Sequence, residues 1–326
     1  MSDCFNFEDL PKAELHAHLN GCVPPAVVHR LIKQYEVPLP AGYNLPDDLM
    51  IKKPVATLLD YFRPWFVFKL LPIGQDCLNE MFLSAAEKLA SDGVRYAELR
   101  NSPYNIADIN NISLEYALQW LIEASTRASE AHNIDLRLIV SLSRYKFNLE
   151  QANLLLSAIA TVSHSRRIVA IDLSGDEDDP ISPEITKLFQ IAKYELGLGI
   201  TVHAGETCNA DNVRWAVENC HADRIGHGLA ASTDSRVLEL LLSKNVCVEM
   251  CLQSNLMTGR ISSLEYHPVH SFIEASIPFV LCTDNPQVHG VKLSDEYQLF
   301  TNTTGRIDYI KNMYETQLKY AFGKRG

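Results

Sequence analysis

Short apolar, β-rich runs alternate with longer stretches of helical spacing along most of the chain. The runs have the length of buried strands, and the stretches between them repeat apolar residues every three or four positions. Eight strands are predicted, at Ala13–Asn20, Val94–Asn101, Leu136–Ser143, Ile168–Gly175, Gly199–Glu206, Asp223–Gly228, Val246–Ser254 and Pro278–Asn285. Helices are predicted at Cys77–Ser91, Leu114–His132, Glu150–Ser163, Ser182–Leu196, Ala210–Asn219, Ser235–Ser243 and His267–Ala275.

This alternation favours parallel strands that are joined by right-handed crossovers. Eight such units predict a (β/α)8 TIM barrel. No linker rich in Pro, Gly or Ser divides the chain, so a single domain is expected over residues 1–326. A doubly wound open sheet is the structural alternative, but it would not gather residues from eight strand ends around one axis.

The segment Ile51–Ile73, between the first two predicted strands, is unusually rich in aromatic residues. An ordinary pair of core helices explains most of these side chains. An insertion after the first strand, however, lies at the active-site end of a barrel. We therefore expect an apolar helical lid that encloses a flat aromatic ligand, formed by Tyr61, Phe62, Trp65, Phe66 and Phe68.

Charge and composition exclude several classes of partner. The formal net charge is −11 over 326 residues, which disfavours binding to nucleic acids or anionic membranes. No apolar run reaches the roughly 18 residues of a spanning helix, and the first ten residues lack a secretory signal. The eight cysteines form no Cys-x-x-Cys pair. We expect a soluble cytoplasmic protein, and its oligomeric state stays open.

Metal-binding residue types recur where the predicted strands end. His16 and His18 are two residues apart on the first strand, so both imidazoles point to the same side. His203 ends the fifth strand and Asp284 the eighth. A single buried His or Asp is usually a satisfied core residue, but this coincident placement is hard to attribute to chance. Three imidazoles and one carboxylate suit a first-row divalent ion, with Zn²⁺ the leading candidate at one per chain.

Two further residues have the chemistry of proton transfer. Glu206 lies three residues after His203 and beside Gly205, where it is placed to donate a proton to a substrate. A carboxylic acid that an apolar pocket keeps neutral is a good general acid. His227, at the end of the sixth strand, is a candidate to take or hold the proton of a water that the metal activates.

Seven motifs follow one another along nearly the whole chain. They are Lys12–Gly21 (KAELHAHLNG), Tyr96–Arg100 (YAELR), Asp172–Glu177 (DLSGDE), His203–Glu206 (HAGE), Arg224–Gly228 (RIGHG), Ser254-Asn255 with Thr258-Gly259, and Thr283–Pro286 (TDNP). In these motifs the chain resembles the adenosine deaminase family of metal-dependent (β/α)8 hydrolases.

The resemblance implies hydrolytic removal of the 6-amino group of a purine nucleoside or nucleotide. By similarity, a zinc-activated water attacks C6, Glu206 protonates N1 and His227 orients the water. The implied metal ligands are His16, His18, His203 and Asp284. The implied substrate contacts are His18 at the edge of the purine, Asn20 at the sugar, the Gly175 amide at N3 and Asn285 at N7.

Two residues depart from the family pattern. Asn20 replaces the Asp of the familiar HLDG motif, which addresses the ribose 5′-hydroxyl. The neutral amide removes repulsion towards a 5′-phosphate, and HLNG resembles the branch that deaminates N6-methyl-AMP, as does Glu249–Asn255. Asn285 replaces an Asp found in many members. An amide donates to N7 directly, so we expect altered pH dependence and the same reaction.

Asn20 favours a nucleotide substrate, but no obvious basic or Gly-rich phosphate-binding segment follows a predicted strand. Arg260 is the nearest candidate for one, and Met257–Gly259 is closer to nucleoside deaminases. We therefore expect conversion of adenosine and 2′-deoxyadenosine to inosines and ammonia. Alternatives are N6-methyl-AMP, which would give IMP and methylamine, and adenine or methylthioadenosine. A non-catalytic purine-binding barrel belongs to another class, and the complete set of predicted ligands and acid speaks against it.

Overall fold

The computed structural model describes residues 6–145, 148–162, 166–178, 183–207 and 209–324. Its strands form one eight-stranded parallel sheet in sequence order. The strands are β1 (Lys12–His18), β2 (Val94–Asn101), β3 (Asp135–Ser143), β4 (Ile168–Ser174), β5 (Gly199–Ala204), β6 (Arg224–His227), β7 (Cys247–Met250) and β8 (Phe279–Leu281). A parallel bridge between Ala17 and Asp284 joins the last strand's end to β1. The predicted (β/α)8 TIM barrel is confirmed.

Helices separate the strands throughout the described residues. They are α1 (Leu19–Cys22), α2 (Pro25–Gln34), α3 (Leu58–Tyr61), α4 (Trp65–Phe68), α5 (Gly74–Ser91), α6 (Pro103–Asn110), α7 (Leu114–His132), α8 (Leu149–Val162), α9 (Ile185–Tyr194), α10 (Ala210–Glu218), α11 (Ser235–Lys244), α12 (Leu252–Met257), α13 (Val269–Glu274), α14 (Pro286–His289), α15 (Leu293–Thr304), α16 (Ile307–Lys311) and α17 (Met313–Tyr320). Short 3₁₀ helices lie at Phe7–Asp9, Asp47–Leu49, Leu229–Thr233, Leu264–Tyr266 and Phe322–Lys324.

The main differences from the predicted elements lie at strand ends. The seventh and eighth predicted strands continued to Ser254 and Asn285, whereas β7 and β8 end at Met250 and Leu281. Polar residues there leave the strand conformation to form α12 and the site described below. Helices α2, α6 and α15 to α17 were not predicted. Ser163 and Ser182, which bound two predicted helices, lie outside the described residues.

The segment Ile51–Ile73 contains two one-turn helices, α3 and α4, and packs in an apolar cluster with α2 and α5. Val67 and Phe68 are buried in that cluster, while Phe66 is 38% exposed. Of the five aromatic side chains expected in the lid, two are buried, two are partly buried and one is exposed, so the segment is only partly core. Its role as a lid stays a prediction. The buried side chain of Tyr61 extends to the polar end of the barrel.

The barrel interior holds a network of buried charges. Arg224 donates from Nη1 to Glu98 Oε2 over 2.7 Å and from Nε to Glu249 Oε1 over 2.6 Å. Arg100 pairs with Glu249, and its Nη1 lies 3.2 Å from Asp172 Oδ1. All five side chains are buried. Burying a charge is costly unless it is paired, and each guanidinium here binds two carboxylates.

Two predictions from composition concern the cysteines and the possibility of a membrane-spanning helix. Six cysteines in the described ranges are buried, and Cys4 and Cys208 lie outside those ranges. None of the helices described is both long enough and apolar enough to cross a bilayer. The single domain over residues 1–326 and the cytoplasmic location stay predictions.

Candidate active site

The four side chains predicted as metal ligands meet at the C-terminal end of the barrel. His18 Nε2 lies 3.4 Å from His203 Nε2 and 3.3 Å from Asp284 Oδ1, and His16 Nε2 lies 3.5 Å from that oxygen. Among the described residues, His16 Nε2 is buried without a hydrogen-bond partner. Buried polar atoms are normally satisfied. The orphaned nitrogen and a donor set of three imidazoles and one carboxylate therefore fit a divalent metal ion.

Two buried carboxylates set the direction in which these imidazoles point. His16 Nδ1 lies 2.7 Å from Glu249 Oε2, and His203 Nδ1 lies 3.0 Å from Asp172 Oδ1. A carboxylate that binds one ring nitrogen leaves the other directed at a metal. Burial opposes the charge of Glu249, but Arg100 and then Arg224 hold its pKa well below the usual range. Glu249 was not among the predicted site residues; the available signal was a lone acid inside the apolar strand β7.

Glu206 lies in the turn after β5, beside Gly205 at φ +70°. Burial raises the pKa of Glu206 to about 7, although nearby His203 opposes this shift. A second carboxylate, Glu177, fixes the turn: it accepts from the backbone N–H groups of Gly205 over 2.6 Å and Thr207 over 2.9 Å. A carboxyl group with a pKa near neutrality, held in a rigid turn, is equipped to donate a proton.

His227 ends β6 in the left-handed region, at φ +65°. Its ring centroid lies 4.9 Å from that of His16 and 5.4 Å from that of His203. One of its ring nitrogens lies within 4.8 Å of ligand atoms of His16 and Asp284, which makes it a neighbour of the predicted metal site. Burial first, and then the proximity of His16, lower the pKa of His227 well below its ordinary value. The ring is therefore neutral.

Asp284 and Asn285 are held by side chains from two other elements. Ser254 Oγ donates to Asp284 Oδ2 over 2.6 Å, and Tyr61 Oη lies 3.4 Å from the same oxygen. Asn285 Nδ2 donates to Tyr61 Oη over 3.2 Å. Gly21 must lack a side chain, because a Cβ there would lie 2.1 Å from Asn285 Oδ1. Tyr61 was predicted only as an apolar lid residue, and the contacts of its hydroxyl were missed. The available signal was a Tyr, with its polar hydroxyl, among Phe and Trp residues.

The remaining predicted substrate residues lie at the same end of the barrel. Asn20 is half-buried in α1, directly after β1, and Gly175 follows β4 at φ +104°. Their predicted contacts with the sugar and with N3 stay predictions. Arg260 is half-buried, and its Nε is buried without a hydrogen-bond partner among the described residues. It therefore differs from an exposed surface arginine.

Comparison with known proteins agrees with this geometry. The adenosine deaminase family model matches residues 11–322. The adenosine deaminase of Edwardsiella ictaluri is 34% identical over 317 residues, which cover 96% of this chain and 93% of that protein.

Two solved structures extend the comparison. The Arabidopsis N6-mAMP deaminase is 26% identical with a TM-score of 0.84, covering 97% of this chain and 94% of that one. It has also been solved, as Arabidopsis ADAL, with IMP and with GMP. An amidohydrolase from Burkholderia ambifaria with bound zinc shares the fold, with a TM-score of 0.85 at 22% identity, covering 97% of this chain and 86% of that one. By the family match across almost its whole length, the chain belongs to the adenosine deaminase family, whose members are metal-dependent aminohydrolases.

Proposed function

We propose that this chain deaminates adenosine and 2′-deoxyadenosine by hydrolysis, giving inosine or 2′-deoxyinosine and ammonia. The observation that carries the proposal is the convergence of His16, His18, His203 and Asp284 beside Glu206, whose pKa burial raises to about 7. A catalytically silent purine-binding barrel would have no use for this donor set. The identity to the adenosine deaminase of Edwardsiella ictaluri supports the choice of a nucleoside.

We further propose one Zn²⁺ per chain, held by these three histidines and Asp284. When bound, such an ion would lower the pKa of a water molecule to about 7 and make a nucleophile available at neutral pH. The zinc in the related Burkholderia barrel supports this choice of metal. The carboxylates Glu249 and Asp172 support it too, because each leaves an imidazole Nε2 free to bind the ion.

The chain's own residues would then act at defined positions on the purine. Glu206 donates its proton to N1, which draws charge from the ring as water adds at C6. Asn285 donates to N7, the Gly175 amide approaches N3, His18 borders the purine and Asn20 meets the sugar. His227 orients the attacking water. As the tetrahedral centre collapses, one proton of the added water goes to the departing amine and the other returns to the Glu206 carboxylate. Adenosine and water thus become inosine and ammonia, and the acid is restored.

Deamination of N6-methyl-AMP is the second candidate, and two observations favour it. Asn20 carries no charge to repel a 5′-phosphate, and Arg260 is half-buried, with a buried Nε that has no hydrogen-bond partner among the described residues. The Arabidopsis N6-mAMP deaminase shares the fold over nearly the whole chain. We rank it second because the relative cited above at 34% identity, from Edwardsiella ictaluri, is an adenosine deaminase.

A side-by-side assay tests the choice of substrate. Purified protein saturated with Zn²⁺ is given adenosine, 2′-deoxyadenosine, N6-methyl-AMP, methylthioadenosine and adenine. Absorbance change, released ammonia and released methylamine are then measured. We expect the two nucleosides to be turned over fastest. Turnover of N6-methyl-AMP with inert adenosine would establish the second candidate, and no turnover of any compound would favour a silent barrel.

A further inference from the structure

A chain of hydrogen bonds runs from the backbone of α13 to the ring of His227. The N–H of Val269 donates to His267 Nδ1 over 3.0 Å. His267 Nε2 lies 3.2 Å from Asn255 Oδ1, and Asn255 Nδ2 lies 3.1 Å from His227 Nδ1. All three side chains are buried, with exposures of 0–1%. The chain therefore connects a backbone group outside the site to a residue inside it.

The direction of this chain is set at its outer end, because a backbone N–H can only donate. The Val269 N–H requires an unprotonated Nδ1 on His267. Burial lowers the pKa of His267 to about 3, so the ring is neutral and carries its one proton on Nε2. That proton points at Asn255, which must present its carbonyl oxygen to His267 and its NH₂ group to His227.

If the hydrogen bonds ran in the opposite direction, two N–H donors would face each other between Val269 and His267. If His227 carried its proton on Nδ1, Asn255 would have to turn its oxygen towards His227 and its NH₂ towards His267. His267 would then need its proton on Nδ1, where the Val269 N–H already points. Two donors facing each other in a buried position leave both unsatisfied, at a cost of about 1–3 kcal/mol for each group.

We propose that Asn255 and His267 are positioning residues that hold His227 in the tautomer with its proton on Nε2. His227 then enters the site as a hydrogen-bond donor. It has no lone pair to offer to a metal ion or to the proton of a water molecule. Under this proposal His227 does not take the proton of the attacking water, and it remains distinct from the four proposed ligands although it lies among them.

The consequence for catalysis rests on the proposed function. A donor fixed beside the attacking water orients its oxygen and stabilises negative charge that develops on it. The tautomer itself does not depend on any substrate, so the two ideas can fail separately.

Nuclear magnetic resonance tests the tautomer directly. The full-length, zinc-saturated protein is labelled with ¹⁵N-histidine, and two-bond ¹H–¹⁵N correlations are recorded. The ring of His227 is assigned from the signals lost in His227→Gln. We expect the Nδ1 shift of an unprotonated nitrogen and the Nε2 shift of a protonated one. The reverse pattern in the wild-type protein would overturn the proposal, whether or not the enzyme acts on adenosine.

Asn255→Asp tests the link between the chain and His227. An ionised carboxylate can only accept, so it demands a proton on His227 Nδ1 and should reverse the tautomer. We expect kcat for adenosine to fall about 100-fold while KM changes less than about 3-fold. An unchanged tautomer in a folded Asn255→Asp protein would contradict the proposal.

A matched pair at position 267 separates positioning from packing. His267→Gln keeps an N–H donor for Asn255, whereas His267→Leu removes it at similar volume. We expect His267→Gln to keep kcat within about 3-fold and His267→Leu to lose at least about 10-fold, with mixed tautomers at His227. Equal losses in both variants would assign His267 a structural role only. A wild-type protein inert towards every 6-aminopurine would refute the proposed function instead, and the spectra would still decide the tautomer.

Discussion

The phenolic oxygen of Tyr61 lies 3.4 Å from Asp284 Oδ2 and 3.2 Å from Asn285 Nδ2. Tyr61 belongs to the segment between β1 and β2, and its oxygen also lies 3.3 Å from His289 Nε2. One hydroxyl therefore connects this segment to a proposed metal ligand and to the amide proposed to face N7. Movement of the segment between β1 and β2 would therefore directly change the contacts of Asp284 and Asn285.

Tyr61→Phe tests this connection. Removing the hydroxyl leaves the ring in its apolar cluster but frees the Asn285 amide, so its orientation towards N7 becomes less fixed. The loss of a hydrogen bond is worth about 0.5–1.5 kcal/mol, which corresponds to a fall in kcat/KM for adenosine of about 2–10-fold. Steady-state kinetics measure this. Tyr43→Phe is the control, because its exposed hydroxyl bonds only to the Arg63 carbonyl oxygen among the contacts described; equal kinetics in both variants would contradict the prediction.

Glu177 should matter through the turn that carries Glu206. Its carboxylate accepts from the Gly205 and Thr207 N–H groups and from Asn212 Nδ2 over 2.9 Å. In Glu177→Gln an NH₂ group would face these donors, and the turn would loosen. We expect kcat to fall about 10-fold or more, with KM nearly unchanged, since a misplaced acid affects proton transfer more than binding.

The control for Glu177→Gln is Glu218→Gln, a change at an exposed carboxylate at the end of the neighbouring helix α10. Kinetics and thermal unfolding of both variants should be measured together. Wild-type kcat in Glu177→Gln would show that Glu206 is held without this carboxylate.

Sequence reasoning succeeded for the fold, where the information is local: the alternation of strands with helices predicts the barrel. The spacing of His16 and His18 on one strand predicts a pair of imidazoles that the structure brings together, and their role as metal ligands stays a prediction. Sequence reasoning failed where contacts join distant parts of the chain. Glu249 binds His16 from 233 positions away, and the hydroxyl of Tyr61 meets Asp284 over 223 positions. No short sequence spacing relates Glu249 to His16 or Tyr61 to Asp284, because only tertiary packing brings these residues together.

Removal of the metal should destabilise the folded protein. A ligand that binds only the native state contributes RT ln(1 + [L]/Kd), about 4 kcal/mol at 1,000 times Kd. A chelator should therefore lower the unfolding temperature and abolish activity, and added Zn²⁺ should restore both. In His16→Ala the chelator effect should largely vanish, whereas His29→Ala, which changes a histidine away from the site on α2, should respond as the wild type does. An unfolding temperature that does not change when the chelator is added would argue against a resident metal.

The buried carboxyl group of Glu296 should make the free energy of unfolding depend on pH. This carboxyl group is fully buried and accepts from the backbone N–H groups of Leu252 and Gln253, each over 3.0 Å. Burial nevertheless raises its pKa to about 8, against about 4.3 in an unfolded chain. Between these values the folded state binds a proton that the unfolded state has lost. Its contribution to stability is therefore complete below about pH 4 and disappears as pH rises through about 8.

The slope from this one group reaches about 1.4 kcal/mol per pH unit. Urea unfolding of the zinc-saturated protein at pH 6, 7, 8 and 9 should show the free energy of unfolding falling more steeply in the wild type than in Glu296→Gln. The variant starts lower, because one backbone N–H loses its acceptor at a cost of about 1–3 kcal/mol. The two curves should therefore converge as pH rises. Glu239→Gln, at an exposed carboxylate, should follow the wild-type curve. Parallel curves for wild type and Glu296→Gln would mean that Glu296 stays ionised in the folded protein, held by the two N–H groups at the start of α12.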